Sequence, residues 1–161
     1  MTEAHRLLAP SGILGVSSWE SVPWPDDCRA ALADHPTPPP FPSNEGFLRM
    51  FSAEGPAWAT VSGVRAAFEK AGFKDVEVKE YERSVQLEGV EEIVQMLGPM
   101  VGMVLSKCWC KDDFERRRDE AVRVCENYAR GKYGEGRAEW NGWRGIVGTG
   151  RKGSGSESLD G

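Results

Sequence analysis

RLLAPSGILGVSSW, residues 6–19, is the stretch whose reading decides the fold. Pro10, Ser11 and Gly12 form a turn cluster that stops a helical segment over residues 4–8. Ile13, Leu14, Gly15 and Val16 then run on without the polar alternation of a half-exposed strand. This pattern predicts a strand over 13–18 covered on both faces, as in the middle of a parallel sheet. Such a strand also needs neighbours on both edges, because buried backbone donors and acceptors have to be paired.

The next clear unit is WATVSGVRAAFEKAGFKDVEVKEYE, residues 58–82. Thr60 is placed to cap a helix, Val61, Val64, Phe68 and Ala71 fall on one helical face, and Gly72 stands where a left-handed residue would end it. Val76 and Val78 then alternate with charged residues in a following strand, 75–81. Strand, connection, helix and strand make a crossover whose first and last strands run parallel. Between the two parts, WESVPWP and HPTPPPFPSNEGF fill a Pro- and aromatic-rich segment, 20–57. Proline lacks a donor and fixes its own dihedral, so an extended loop is expected there, with a short helical turn over 28–33. Its aromatic residues give the loop something to bury.

Residues 90–106 are apolar nearly all round, which predicts a helix covered on several sides. Residues 112–130 are amphipathic, with Phe114, Ala121, Val122, Cys125 and Ala129 on the inner face and Gly131 as the stop. ERRRDE, 115–120, reads as the solvated face of that helix. Trp143, Ile146, Val147 and Thr149 form a last strand, 143–149, and residues 153–161 form a flexible tail.

At 161 residues, with 40% hydrophobic and 28% charged, the chain suits one ordinary domain. Its net charge of -5 argues against a nucleic-acid surface, which would show a basic excess on one face. No apolar stretch approaches the roughly 20 residues of a membrane span, so a soluble, cytoplasmic protein is expected. SKCWCKDD, 106–113, brings Cys108 and Cys110 together, but Cys28 and Cys125 stand isolated and His5 and His35 lie far from any pair. No metal site is expected, and the cysteines read as plain thiols.

The order of the parts resembles a known family. EAHRLLAPSGILGVSSW, 3–19, is similar to the late helix and fifth strand of class I S-adenosylmethionine-dependent methyltransferases of the type 11 kind, where a Lys-Pro-Gly-Gly turn often precedes the strand. Here Ala9, Pro10, Ser11 and Gly12 stand in that turn, so its first and third residues depart from the commonest form. AFEKAGFKDVEV, 67–78, resembles the family's helix end and sixth strand, and WRGIVGTGRK, 143–152, its closing strand. The resemblance runs over about residues 3–152 and implies an α/β, partial Rossmann-like sheet. Its last strand would lie centrally, antiparallel to strands 13–18 and 75–81, with added helices.

By this resemblance residues 1–152 are the C-terminal half of a methyltransferase domain, with a substrate-side loop at 20–57 and a helical lid at 90–130. The earlier strands and the glycine-rich loop that receives the cofactor are expected to lie outside the chain, and no cofactor-binding residue is assigned. Open α/β sheets bind ligands beyond the carboxyl ends of their strands. That places Trp19 and Glu20 at the site, with Trp24 and Trp58 as flat apolar walls and Met96, Met100 and Met103 as an adaptable lining. Each tryptophan and methionine also has a plain core reading. Glu20 is the candidate general base toward a substrate hydroxyl or amine, against a surface-loop alternative. The expected function is S-adenosylmethionine-dependent methylation of a small organic molecule by a protein of which this chain is the substrate-side half. The alternative is a non-catalytic accessory module that pairs with another chain, or with itself, along strand 13–18.

Overall fold

The computed structural model describes residues 1–33, 35, 40–51, 56–134 and 136–154. The elements run α1 (Thr2–Leu7), β1 (Ile13–Ser21), α2 (Trp24–Ala33), α3 (Asn44–Phe51), a 3-10 turn (Pro56–Ala59), α4 (Val61–Lys70), β2 (Lys74–Leu87), α5 (Val90–Cys108), α6 (Lys111–Tyr133) and β3 (Ala138–Arg151). The strands make a three-stranded antiparallel open sheet in the order β1-β3-β2, so the last strand is the middle one, as expected. β1 pairs with β3 from Ile13 opposite Arg151 to Trp19 opposite Gly145, and the register slips between Trp19 and Ser21.

The chain packs as two compact units. Unit 1 comprises residues 1–21, 48–82 and 144–161, and unit 2 comprises 22–47 and 83–143. In unit 1, α4 lies on one face of the sheet. Thr60 caps it by accepting a hydrogen bond from the Gly63 N–H at 3.0 Å, and Gly72, at φ 89, ends it in the left-handed region. Val64 and Phe68 then meet Phe73, Val78 and Ile146 in a closed core. That approach needs glycine on β3. A Cβ on Gly150 would stand 2.6 Å from Phe68 Cδ1, and one on Gly148 would stand 2.9 Å from Phe68 Cε2.

The turn before β1 is held from the far end of the chain. Arg151 donates to the Ser11 carbonyl at 3.0 Å, and Lys152 donates to the Leu8 carbonyl at 2.8 Å, placing a cation at the end of α1.

Unit 2 is helical. α5 and α6 run as an antiparallel pair closed by α2, and Trp24, Leu32, Ile93, Leu97, Leu105 and Trp140 are its largest buried side chains. Asp27 is the buried carboxylate of this core. It accepts hydrogen bonds from Lys132 Nζ and the Tyr133 hydroxyl, each at 2.5 Å. Burial, then the bond to Asp27, pushes the Tyr133 phenol up.

Five expectations are corrected. β1 is not covered on both faces: Leu14, Val16 and Ser18 are half-buried, but Ile13 and Trp19 on the other face are 57% and 49% exposed. α4 covers one face of the sheet, and among the described residues Ile13, Trp19 and Val147 are exposed on the other. Segment 20–57 is not an extended loop but carries α2 and α3, because Pro25 falls in the first turn of α2, where its missing donor would be unpaired in any case. Residues 34, 36–39 and 52–55 of that segment, and 155–161 of the expected tail, lie outside the described residues. α6 does not stop at Gly131 but runs to Tyr133, and Gly134 at φ 70 takes the terminal role. Cys28 and Cys125, isolated in the sequence, are neighbours in the core of unit 2, where the Cys125 thiol and burial raise the Cys28 pKa. The last two strands are also longer than expected, at 14 residues each.

Gly150→Ala is expected to lower unfolding stability by about 1–3 kcal/mol through overpacking against Phe68. Gly15→Ala, whose Cβ would meet nothing within 4 Å, is expected to stay within about 0.5 kcal/mol of the parent. Denaturant titration of both variants checks the pair, and equal losses would contradict the packing argument.

Candidate functional site

The carboxyl end of β1 is shaped by the register slip. Trp19 lies opposite Gly145 and Ser21 opposite Arg144, so Glu20 is the extra residue of a β-bulge. A bulge breaks the ladder locally, and the alternation of exposed and half-buried residues holds through Glu20 and fails at Ser21. The Trp19 ring crosses the bare Cα of Gly145, to which an added Cβ would stand 3.8 Å from Trp19 Cζ3. Ser18 donates to the Trp58 carbonyl at 2.6 Å, which ties the 3-10 turn to β1. Trp58 itself is half-buried against the α4 core.

Glu20 is partly enclosed and sits among charges from both other strands. Arg144 Nη1, from β3, stands 3.7 Å from Glu20 Oε2 and 3.9 Å from Glu80 Oε1 of β2. Burial raises the Glu20 pKa most, the hydrogen bond with Glu80 and its charge raise it further, and Arg144 lowers it. A carboxylate pushed toward neutrality in this way is better matched to proton exchange than an ordinary surface glutamate.

Unit 1 contains Trp19, Glu20 and Trp58, but Trp19 lies on the exposed face of β1 and Trp58 against the α4 core on the other. Trp24 belongs to unit 2 and is 1% exposed, with its ring edge-on to Phe47 at 4.8 Å and to Phe41 at 6.2 Å. It fills the core. Met100 is half-buried against the same core, while Met96 and Met103 are exposed on α5. Sequence reasoning missed Glu80 and Arg144. Their relation to Glu20 arises from strand register, and no local motif marks it. A separate open cavity of ≈ 280 Å³ lies near the start of β1, lined by Ile13, Asp75, Glu77, Thr149, Gly150 and Arg151.

The GTGRK segment does not fit the glycine-rich loop that a nucleoside cofactor such as S-adenosylmethionine needs. The glycines of GTGRK are turned against Phe68 and Val64, so the space a ligand would need is taken by α4, and the described residues after β3 form no helix that could present amide donors.

Comparison with known proteins finds relatives named as methyltransferases. No family model matches the chain. It is similar to the methyltransferase ktnA of Aspergillus niger, 31% identical over 135 residues that make up 81% of this chain and 43% of that protein. It is similar also to the methyltransferase tpcH of Aspergillus fumigatus, 28% identical over 94% of this chain and 52% of that protein. The acetylaranotin bis-thiomethyltransferase of Aspergillus terreus is 26% identical over 82% of this chain and 47% of its own length. The chain spans about half the length of the relatives it matches. Among the described residues, no helix is long and apolar enough to cross a membrane.

Because the Glu20 pKa is raised on folding, its protonated form favours the folded state. That contribution is complete below the ordinary carboxylate range and is lost as pH rises through the raised value. Stability of the parent is expected to fall over that window, and Glu20→Gln is expected to flatten the fall. Thermal unfolding across a pH series measures it, and an unchanged slope in the variant would refute the assignment.

Proposed function

We propose that this chain is the substrate-side, C-terminal part of a class I, Rossmann-like S-adenosylmethionine-dependent methyltransferase acting on a small organic molecule in the cytoplasm. The observation that carries the reading is the similarity to fungal proteins named methyltransferases along most of this chain. The strand order β1-β3-β2, with the final strand reversed in the middle, supports it, since this is the arrangement the sequence resemblance implies.

In this reading the cofactor is held by residues outside the chain. Within unit 1, Trp19 and Trp58 offer flat apolar surface on opposite faces of β1, and Glu20 accepts the proton of a substrate hydroxyl or amine. One relative is named a bis-thiomethyltransferase, so a thiol joins those acceptor classes. Within unit 2, the exposed thioethers of Met96 and Met103 are an adaptable surface, with Met100 and Trp24 supporting it from the core. The outer edge of β1 is the place for a partner strand, supplied by another chain or by a second copy.

Titration calorimetry of the 161-residue chain with S-adenosylmethionine is expected to give no saturable binding in the micromolar range. Loss of several polar anchors at about 1 kcal/mol each weakens binding by orders of magnitude. Saturable micromolar binding by a folded monomer would place a cofactor site inside this chain and overturn the reading.

The purified chain is also expected to associate with rising concentration through β1. Ser17→Lys, a charge within the bare strand, is expected to suppress this, as sedimentation velocity would report. A parent chain that stays monomeric throughout would refute the edge assignment.

A further inference from the structure

The side chains on the sheet face away from α4 fall into rows. Ile13 of β1 lies opposite Arg151 of β3, Gly15 opposite Thr149, Ser17 opposite Val147 and Trp19 opposite Gly145. Arg151 Nε stands 3.6 Å from Asp75 Oδ2 of β2. Counting by twos along β2 from that contact puts Glu77 beside Thr149, Lys79 beside Val147 and Tyr81 beside Gly145. β1 and β3 thus present an apolar or small strip, in which Ile13, Val147 and Trp19 are exposed and a Cβ on Gly15 would meet nothing within 4 Å. β2 runs charge alongside it, with Glu77 and Lys79 paired at 3.3 Å. At the Ile13 end the surface dips into the cavity of ≈ 280 Å³ lined by Ile13, Asp75, Glu77, Thr149, Gly150 and Arg151. That volume is below the about 300–1,000 Å³ of small-molecule pockets. An apolar floor with a cation and carboxylates at its rim suits an aromatic side chain with a polar tip.

We propose that this face pairs with the same face of a second copy of the chain, about a twofold axis that runs across the strands. Such an axis lays each strand antiparallel over its own counterpart and brings one end of the face over the other end. Trp19 and Tyr81 of one copy arrive over Ile13, Arg151 and the cavity of the other. Val147 sits over Thr149 and the open space at Gly15, and Glu77 meets Lys79, each contact being made twice. A second copy is the occupant because the face is complementary to itself: the apolar strip covers the apolar strip, and acid meets base. A twofold axis along the strands fails this test, since it lays the charges of β2 on Ile13 and Gly15 of β1. Sheets pack face to face with their strands within about 30° of one another, which the proposed axis permits. The inference goes beyond the methyltransferase reading and does not rest on it. Pairing covers Trp19, whereas Glu20, half-buried like Leu14, Val16 and Ser18, lies on the opposite face.

Sedimentation equilibrium of the full chain tests it. Glu77→Lys or Lys79→Glu alone sets like charges at both reciprocal contacts and is expected to weaken self-association roughly tenfold. An equimolar mixture of these two variants restores both pairs and is expected to associate as the parent does. Trp19→Ser is expected to weaken association roughly tenfold or more. Val147→Ser repeats that arm on β3, and circular dichroism identifies a variant that has lost its fold. Three outcomes overturn the proposal. A parent that stays monomeric assigns the face to a segment of some longer chain or to none. Association indifferent to the charge changes belongs to the outer edge of β1. Association that recovers on mixing but ignores Trp19→Ser and Val147→Ser belongs to the outer edge of β2.

Discussion

The contact between Phe68 and the two glycines of β3 is the constraint on which unit 1 depends. A helix can rest this close to a strand only where the strand offers no Cβ, and Gly148 and Gly150 supply that gap at two successive inward positions. Once Phe68 is seated, Val64, Phe73, Val78 and Ile146 close around it, and Gly72 must turn left-handed to bring Phe73 back onto the same core. The residues after the glycines extend the arrangement. Arg151 holds the turn at Ser11 and Lys152 holds the end of α1, so one short run, GRK, fixes the packing of α4 and the entry into β1.

Two partly enclosed carboxylates behave in opposite ways, and the difference lies in what they face. Asp27 meets two donors, an ammonium and a phenol, so its acceptors are satisfied and it serves as a staple between α2 and α6. Glu20 has an arginine too distant to donate, and its enclosed Oε2 has no hydrogen-bond partner among the described residues. Burial, and then Glu80, push its carboxyl toward the neutral form, the direction that suits a proton-exchanging group.

Much of unit 1 was legible because its signals are local. Thr60 as a cap, Gly72 as a stop and the alternation of Val76 and Val78 each report the backbone within a few residues. The helices in 20–57 were hidden because proline outweighed everything else in that segment, although Pro25 falls in a first turn that tolerates it. The end of α6 was misplaced because Gly131 and Gly134 look alike in sequence, and only the second takes a positive φ. At the site, Trp19 and Glu20 followed from the strand end, whereas Glu80 and Arg144 depend on which strands lie side by side. For Trp24 the sequence carried both a substrate-wall and a core reading, and the helices concealed by the prolines give it the core place.

The pairing of β1 with β3 also sets a timetable. Ile13 lies opposite Arg151, a separation of 138 residues (151 - 13), so the β3 side of the β1 ladder stays open until β3 is made. At typical synthesis rates of about 5–20 residues per second, that interval is roughly 7–28 s. Throughout it, the apolar run ILGV lacks its β3 partner and α4 lacks the strand on which Phe68 rests. Pairings this distant along the chain are slow to form even after release, because loop closure precedes any reward. A sheet whose middle strand is β3 therefore leaves apolar segments of the nascent chain uncovered until late, and slower elongation lengthens that exposure.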